Sequence, residues 1–423
     1  MVDSYYYGET NLQKQAYAAV VNTRFVQQFT NLGGGSSQFI ISPQQGVSDI
    51  IVELVMPAIG SNGFSSATGY ALPTGWGYGL VNRLSVRYGS SAQYFWSGSQ
   101  MLLQNLMDCE NNTKVDAILA QGGAASFGAA GTANGGPVPG AKAYLYLKLP
   151  HNSCRADGKP LPFASDLLVQ PIVVTIELFA PTAVFITQTG ATALPGTGPT
   201  QLQSAQLQVK QEMLTDTSDL LARRVDMNSH AYTFPLMYFA QQETQVQCQA
   251  GSQGVPQTVN LTGFRAGEVR SIQLWLTPNV VPIVNIANTP GSGSYLPQVW
   301  PALQHIQLTY NGEIFSRFDD GTNQLWSLVQ DTKLAVVNVP GVPTANGAAG
   351  TFLPAVSYWA DCPFAQVNMP YDKEMKLMHG KPILNAVVNL SFVLPDTAAY
   401  TLHAQYIYNA SLLCSRGSAE YIF

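Results

Sequence analysis

Residues 81–108 read VNRLSVRYGSSAQYFWSGSQMLLQNLMD, and residues 305–331 read HIQLTYNGEIFSRFDDGTNQLWSLVQD. Each opens on an alternating apolar run ending in tyrosine, Tyr88 or Tyr310, so side chains two apart share one face of a strand. A glycine-containing turn follows, then a short aromatic strand. Next come Gly98 or Gly321, a brief leucine-bearing helical stretch and an aspartate, Asp108 or Asp331. A second pair appears in the same order: QPIVVTIELFAP at 170–181 and NAVVNLSFVLP at 385–395, each an apolar strand closed by proline. Both pairs are separated by about half the chain. Two collinear matches at a similar offset predict one fold present twice.

The same alternation recurs outward from these segments. Ile272, Leu274 and Leu276 interleave with Gln273, Trp275 and Thr277; Leu402, Ala404, Tyr406 and Tyr408 form another such set. Strands with one buried face, ending in Pro, Gly or Asn turns, place the chain in the all-β class as two or more sandwiches. Between strands lie stretches of small residues, at 122–140, 187–200, 288–294 and 341–350, which read as long loops. Short helices are expected at 99–107, 217–225 and 323–330; the middle one has acidic residues at its start and Arg223 and Arg224 at its end, matching the helix dipole. It falls at the midpoint. The expected organisation is therefore an arm at 1–29, a first sandwich at 30–215, and a second at 216–423 that includes a linker helix at 216–228.

Composition limits the partners. Of 423 residues, 46% are hydrophobic and only 11% charged, against about 25% in ordinary soluble domains. A chain with so little charge suits flanks covered by neighbours. The net charge is −5, and Arg223-Arg224 is the one adjacent basic pair, so direct, sequence-specific nucleic-acid binding is not expected. Residues 2–12 carry no arginine, unlike the basic arms of small RNA-packaging coats. Cys109, Cys154, Cys248, Cys362 and Cys414 are scattered without CxxC spacing and read as buried thiols. The opening MVDSYYYGET lacks the pattern of a signal peptide, and no apolar run reaches the length of a membrane span. Asn-X-Ser/Thr sequons at Asn111, Asn260, Asn389 and Asn409 read as chance matches in such a chain.

The Tyr310-Asn311-Gly312-Glu313 turn with its aromatic strand, Gly321 and short helix resembles the second barrel of double jelly-roll major capsid proteins of double-stranded DNA viruses. So does the C-terminal run LNAVVNLSFVLPDTAAYTLHAQYIYNASLLCSRGSAEYIF. There a proline-terminated strand leads to one ending at Tyr408-Asn409, then Gly417 and a final strand at 421–423. The chain is similar to the compact polinton-like virus members of a group that includes virophage and giant-virus coats. The resemblance implies two tandem eight-stranded jelly rolls, standing side by side, in a structural, non-enzymatic coat protein. It implies a homotrimer forming a pseudo-hexagonal capsomer, trimer–trimer contacts in an icosahedral shell, and penton and minor capsid proteins as further partners. Such coats usually enclose a membrane or a separately condensed genome. The location implied is the virion, after synthesis in the host cytoplasm.

His151, His230, His305, His379 and His403 have no metal-ligand spacing, and no nucleophile, phosphate-loop or dinucleotide motif occurs. Asp319-Asp320-Gly321 reads as a capping turn rather than a cation loop. No catalytic, cofactor-binding or metal residue is expected, and no cofactor. The alternative from another class is a tandem jelly-roll glycan-processing hydrolase or carbohydrate-binding protein, and beyond it a receptor-binding or spike protein. Its carboxylates would come from Asp49, Glu53, Glu177, Glu268 and Glu313, and its sugar platform from Tyr70, Trp76 and Tyr78. Tyr5, Tyr6, Tyr7, Tyr17, Phe25 and Phe29, ahead of the first alternating strand, read as an interior-facing arm that contacts a neighbouring subunit or an inner protein, the alternative being that they fold back onto their own barrel.

Overall fold

The computed structural model describes residues 4–6, 20–42, 46–57, 62, 70–71, 76–98, 100–102, 142–147, 163, 165, 168–184, 186–187, 199–214, 229–249, 251–252, 254–265, 267–278, 304–318, 364–368, 371–372, 377–378, 381–382, 387–394 and 397–423. In chain order the first part holds β1 (Ser4–Tyr6), β2 (Val20–Gln28), β3 (Gly35–Ile41), β4 (Val47–Val55), β5 (Tyr70–Ala71), helix α1 (Trp76–Leu80), β6 (Val81–Tyr88), β7 (Tyr94–Trp96), β8 (Lys142–Leu147), β9 (Ile172–Leu178), β10 (Ile186–Thr187) and β11 (Ser204–Leu214). The second part holds β12 (Ala231–Gln247), β13 (Gln257–Leu261), β14 (Glu268–Pro278), β15 (Gln304–Tyr310), β16 (Glu313–Phe318) and β17 (Phe364–Asn368). The short strands β18 (Tyr371–Asp372), β19 (Leu377–Met378) and β20 (Lys381–Pro382) precede β21 (Val388–Val393), β22 (Ala399–Ser415) and β23 (Ser418–Ile422).

These strands form two sandwiches of one design. In the first, the sheet β2-β11-β4-β8 lies over β3-β9-β6-β7; in the second, β12-β22-β14-β17 lies over β13-β21-β15-β16. Numbered within its own sandwich, each sheet pair has the order first-eighth-third-sixth and second-seventh-fourth-fifth. That is the double Greek key of a jelly roll. The segments ending at Tyr88 and Tyr310 are both fourth strands, β6 and β15, and the proline-closed segments are both seventh strands, β9 and β21. The duplication in the sequence is thus a duplication of the fold.

Local patterns explain the strands. On β3, Ser37, Phe39 and Ile41 are buried while Ser36, Gln38 and Ile40 are exposed; on β9, Ile172, Val174, Ile176 and Leu178 face the core. Asn311 and Gly312 take positive φ, 49° and 87°, as a two-residue hairpin between right-twisted strands requires. The buried side chains of both sandwiches belong to one continuous core.

The structure departs from the sequence reading in several places. Residues 20–28, placed in the arm, form β2 and pair with β11 along their whole length, so the first sandwich reaches back to residue 20. Ser4–Tyr6 pairs in parallel with Ala231–Thr233 of the chain's own second sandwich, so these three residues are tied to the β12 edge. The last long strand does not stop at Tyr408-Asn409: β22 continues to Ser415, and Arg416-Gly417 turn the chain into β23. Continuous pairing with β12 carries it through. Of the helix at 99–107, residues 100–102 are helical and 103–107 lie outside the described residues, as do the helices at 217–225 and 323–330, the linker at 216–228 and Asp319-Asp320-Gly321.

Helix α1 was not marked by any apolar periodicity. Its Trp76 and Tyr78 are fully buried, and Gly77 lets the helix sit on β8: a methyl group there would lie 2.6 Å from Ala143 Cβ. Gly98 packs against the same helix still more closely. A Cβ on it would stand 1.8 Å from the Tyr78 carbonyl oxygen and 2.6 Å from that of Val81. Only glycine fits.

Candidate assembly surfaces

The jelly rolls meet along a seam built from unlike parts. The first contributes the β6–β7 corner, the turn after β7, and Phe163 and Val169. The second contributes β12, β22 and β23. Tyr94, fully buried, donates its hydroxyl to the Met237 carbonyl at 3.1 Å. Its ring makes edge contacts with Trp96, Tyr238 and Phe239, at centroid distances of 4.7, 5.3 and 6.0 Å. Burial raises the Tyr94 pKa well above the ordinary phenol value, so this group stays neutral. Phe163 bridges Tyr88 and Phe234 at 5.1 and 4.9 Å. Ser90 Oγ donates to the Ala419 carbonyl at 3.4 Å and accepts from the Ala419 amide at 3.1 Å, while the Val169 amide donates to the Gly417 carbonyl at 2.9 Å.

Gln100 joins the two halves through a helix cap. Ser97 Oγ accepts from the Gln100 amide at 3.2 Å, and Gln100 Oε1 accepts from the Ser97 amide at 2.7 Å, a reciprocal capping box. The free end of the same side chain, Nε2, donates to Gln241 Oε1 of the second jelly roll at 2.5 Å. Gln241 Nε2 in turn reaches Glu243 Oε1 at 2.6 Å and His403 Nδ1 at 3.0 Å. His403 stacks on Trp275, centroids 5.0 Å apart, with Nε2 2.7 Å from Thr277 Oγ1. Hydrogen bonding to His403 lowers the Glu243 pKa, outweighing its partial burial.

Directly opposite residues on paired strands share a face. Register therefore places Gln241, Gln405, Gln273 and Gln366 in one row across β12, β22, β14 and β17. The row lies on the outer side of its sheet, yet Gln405, Gln273 and Gln366 are 2%, 1% and 8% exposed. Gln273 Nε2 donates to Gln366 Oε1 at 2.9 Å. The matching sheet of the first jelly roll carries Gln28, Gln206, Glu53 and Tyr144 in one row, and Val26, Gln208 and Ile51 in the next. Gln206 and Gln208 donate to Glu53 Oε2 at 2.8 and 3.0 Å, and Lys142 stands 3.5 Å from its other oxygen. Here the face is open: Val26 and Tyr144 are 45% and 43% exposed.

The residues of the hydrolase alternative are not gathered. Glu53 and Glu177 point outward from opposite sheets of the first jelly roll, with about 10 Å between those sheets alone. Glu53 is held by the two glutamines and Lys142, and Glu177 lies opposite Arg83 on β6. Glu268 and Glu313 begin strands in different sheets of the second jelly roll, and Asp49 opposes Lys210 on β11. Trp76 and Tyr78 are core residues, closed to a sugar; Tyr70 sits on β5. His230 is half-buried ahead of β12, and His305 is exposed at a bulge with φ 49°. His151 and His379 lie outside the described residues. Among the described residues no three His, Cys, Asp or Glu side chains converge on a metal-sized site. Cys248 and Cys414 are buried free thiols; Cys109, Cys154 and Cys362 are not described. No described helix is long and apolar enough to cross a membrane.

Two jelly rolls of identical strand order, joined by a packed seam, define the double jelly-roll class. No protein-family model and no curated relative matches the sequence. Solved structures do match over nearly the whole chain. PBCV-1 VP54, fitted into a reconstruction of the virophage Sputnik, has 12% identity and a TM-score of 0.63 over 100% of this chain and 99% of its own. In the Sputnik virophage structure, a chain of 12% identity matches at 0.57, covering 95% of this chain and 88% of that one. Mavirus major capsid protein, at 9% identity, matches at 0.52 over 100% and 92%. The fold is the double jelly roll of viral major capsid proteins.

Proposed function

We propose that this protein is the major capsid protein of a double-stranded DNA virus, a self-assembling component of the virion rather than an enzyme. The observation that carries the proposal is the repeated jelly roll, fixed side by side by the Tyr94–Gln100 seam. Two equivalent blocks on one chain give pseudo-sixfold packing from a threefold assembly, because three chains supply six barrels. Trimers then tile an icosahedral shell closed by penton and minor capsid proteins, with assembly after synthesis in the host cytoplasm. Low charge, with glutamine-rich outer faces, fits surfaces covered by neighbours.

Sedimentation equilibrium of the purified chain tests this. The expected mass is three chains of 45.5 kDa at micromolar concentration. A stable monomer across that range contradicts the proposal, and so does a specific glycosidase activity or a bound glycan.

A further inference from the structure

Where the first jelly roll crosses to the second at Gln100, the hydrogen bonds have a forced direction, and the backbone fixes its start. The Ser97 amide can only donate, so Gln100 must turn Oε1 to it, at 2.7 Å, and Nε2 toward Gln241. Gln241 must then meet that nitrogen with Oε1, at 2.5 Å, which leaves its own Nε2 3.0 Å from His403 Nδ1. A donor there makes Nδ1 the acceptor. The ring is therefore neutral, with its proton on Nε2, which donates to Thr277 Oγ1 at 2.7 Å.

Protonation reverses one link. A proton on Nδ1 sets two N–H donors 3.0 Å apart. His403 has little room to give: it is 8% exposed, stacked on Trp275 with ring planes 5° apart, and held at Nε2 by Thr277. Gln241, half-buried, is the side that yields. Turning its amide over puts its nitrogen against that of Gln100, and withdrawing it lengthens both contacts. The charged ring has an acceptor at hand, since Glu243 Oε1 lies 3.4 Å from Nδ1. Glu243 stands directly opposite His403 on β12, and its side chain is 58% exposed. Among the described residues, the other groups facing the ring carry no charge: Gln241 and Gln245 on β12, Trp275 and Thr277 on β14, Thr401 and Gln405 on β22, with Gln100 beyond Gln241. Hydrogen bonding to His403 holds Glu243 below the ordinary carboxylate range, so it is an anion wherever an imidazole titrates.

We infer that His403 is a proton switch on the seam inside the chain: neutral, it accepts from Gln241 and keeps the crossing to Gln100 closed; protonated, it pairs with Glu243 and releases Gln241, so that the crossing opens. The rest of the seam, with Tyr94 and Phe163, holds no group of this kind and stays in place, so the opening is local to the capped turn at Ser97. The switch lies within one chain and works in any oligomeric state.

Hydrogen exchange of the full chain, read by mass spectrometry at about pH 5 and about pH 8 and corrected for the intrinsic effect of pH on exchange, tests the inference. Peptides covering 97–102 should lose roughly five- to tenfold in protection at the lower pH, the effect of one hydrogen bond, while those of β9 stay unchanged. His403→Asn keeps an acceptor near the place of Nδ1 but takes no proton, and should show the higher protection at both pH values. Glu243→Gln, at an exposed position, removes the counter-ion and should move the loss to lower pH. Equal protection of the parent at both pH values overturns the inference, and so does an acid loss in His403→Asn as large as the parent's. Should His403→Asn fail to fold, Glu243→Gln decides: a loss at the parent's pH overturns the inference. None of these outcomes touches the capsid reading, which the sedimentation experiment tests separately.

Discussion

Gln100 has two tasks that a single substitution exposes together. Its carbonyl caps the helical turn at Ser97, and its amide nitrogen crosses to Gln241. Gln100→Ala removes both and leaves the half-buried Gln241 oxygen without this donor. The expected cost is about 1–3 kcal/mol, the sum of a lost cap and a lost, partly buried hydrogen bond. Urea unfolding of the variant measures it; a loss below about 0.5 kcal/mol, within the range of a neutral surface change, contradicts the assignment. The Ser97–Gln100 pair is readable as a capping box, S-x-x-Q, but its partner across the seam is not, because Gln241 is remote in sequence and sits in a run of glutamines.

Buried ionisable groups set a second expectation. Burial pushes the Cys414 thiol up to about 12 and holds the phenols of Tyr94, Tyr406 and Tyr421 above their ordinary value. In the unfolded chain the thiol ionises near pH 8.5 and the phenols near about 10. The stability these groups contribute is therefore fully present below about pH 8.5. It falls as pH rises toward 12, because the unfolded chain releases protons that the folded chain retains. The urea midpoint should drop between about pH 8 and 11. Cys414→Val should remove the part of the drop that begins lowest. A flat profile over that interval contradicts the burial of these groups.

At the scale of elements, the tight contact between Gly98 and α1 decides whether the β7 corner reaches the second barrel. Gly98→Ala places a methyl group on two backbone carbonyls, which cannot rotate away as a side chain can. A loss at or beyond the about 1–3 kcal/mol of ordinary overpacking is expected in thermal or urea unfolding. Stability equal to the parent would show that the helix and the turn are not in contact. The elements the sequence made legible were those whose pattern is local. β6, β9, β15 and β21 alternate over most of their length and lead into a glycine-containing turn after a tyrosine or into a proline. The elements it concealed depend on distant partners. β2 has the sequence VVNTRFVQQ, with no clean alternation, and is a strand because β11 lies beside it. β12 spans 17 residues despite Pro235 and the Gln-Gln-Glu run. Among the described residues, β12 pairs from residue 234 onward with β22 alone, and an edge strand tolerates proline. WGYGL in α1 has two glycines and looks like a loop; burial of its two aromatics makes it a helix.

For the whole molecule, the fold class and its duplication were legible because a duplicated chain repeats its spacing. The seam was not. Its residues, Tyr94, Phe163, Met237, Phe239 and Ala419, come from distant segments, and an interface between sandwiches has no period of its own. The seam leaves the two jelly rolls unlike: one glutamine-lined face is buried and its counterpart is open. A direct test is electron microscopy of the purified protein in negative stain. The account expects particles with a six-lobed, nearly hexagonal outline and threefold symmetry in class averages. Two-lobed single chains at micromolar concentration, or oligomers of another symmetry, would contradict it.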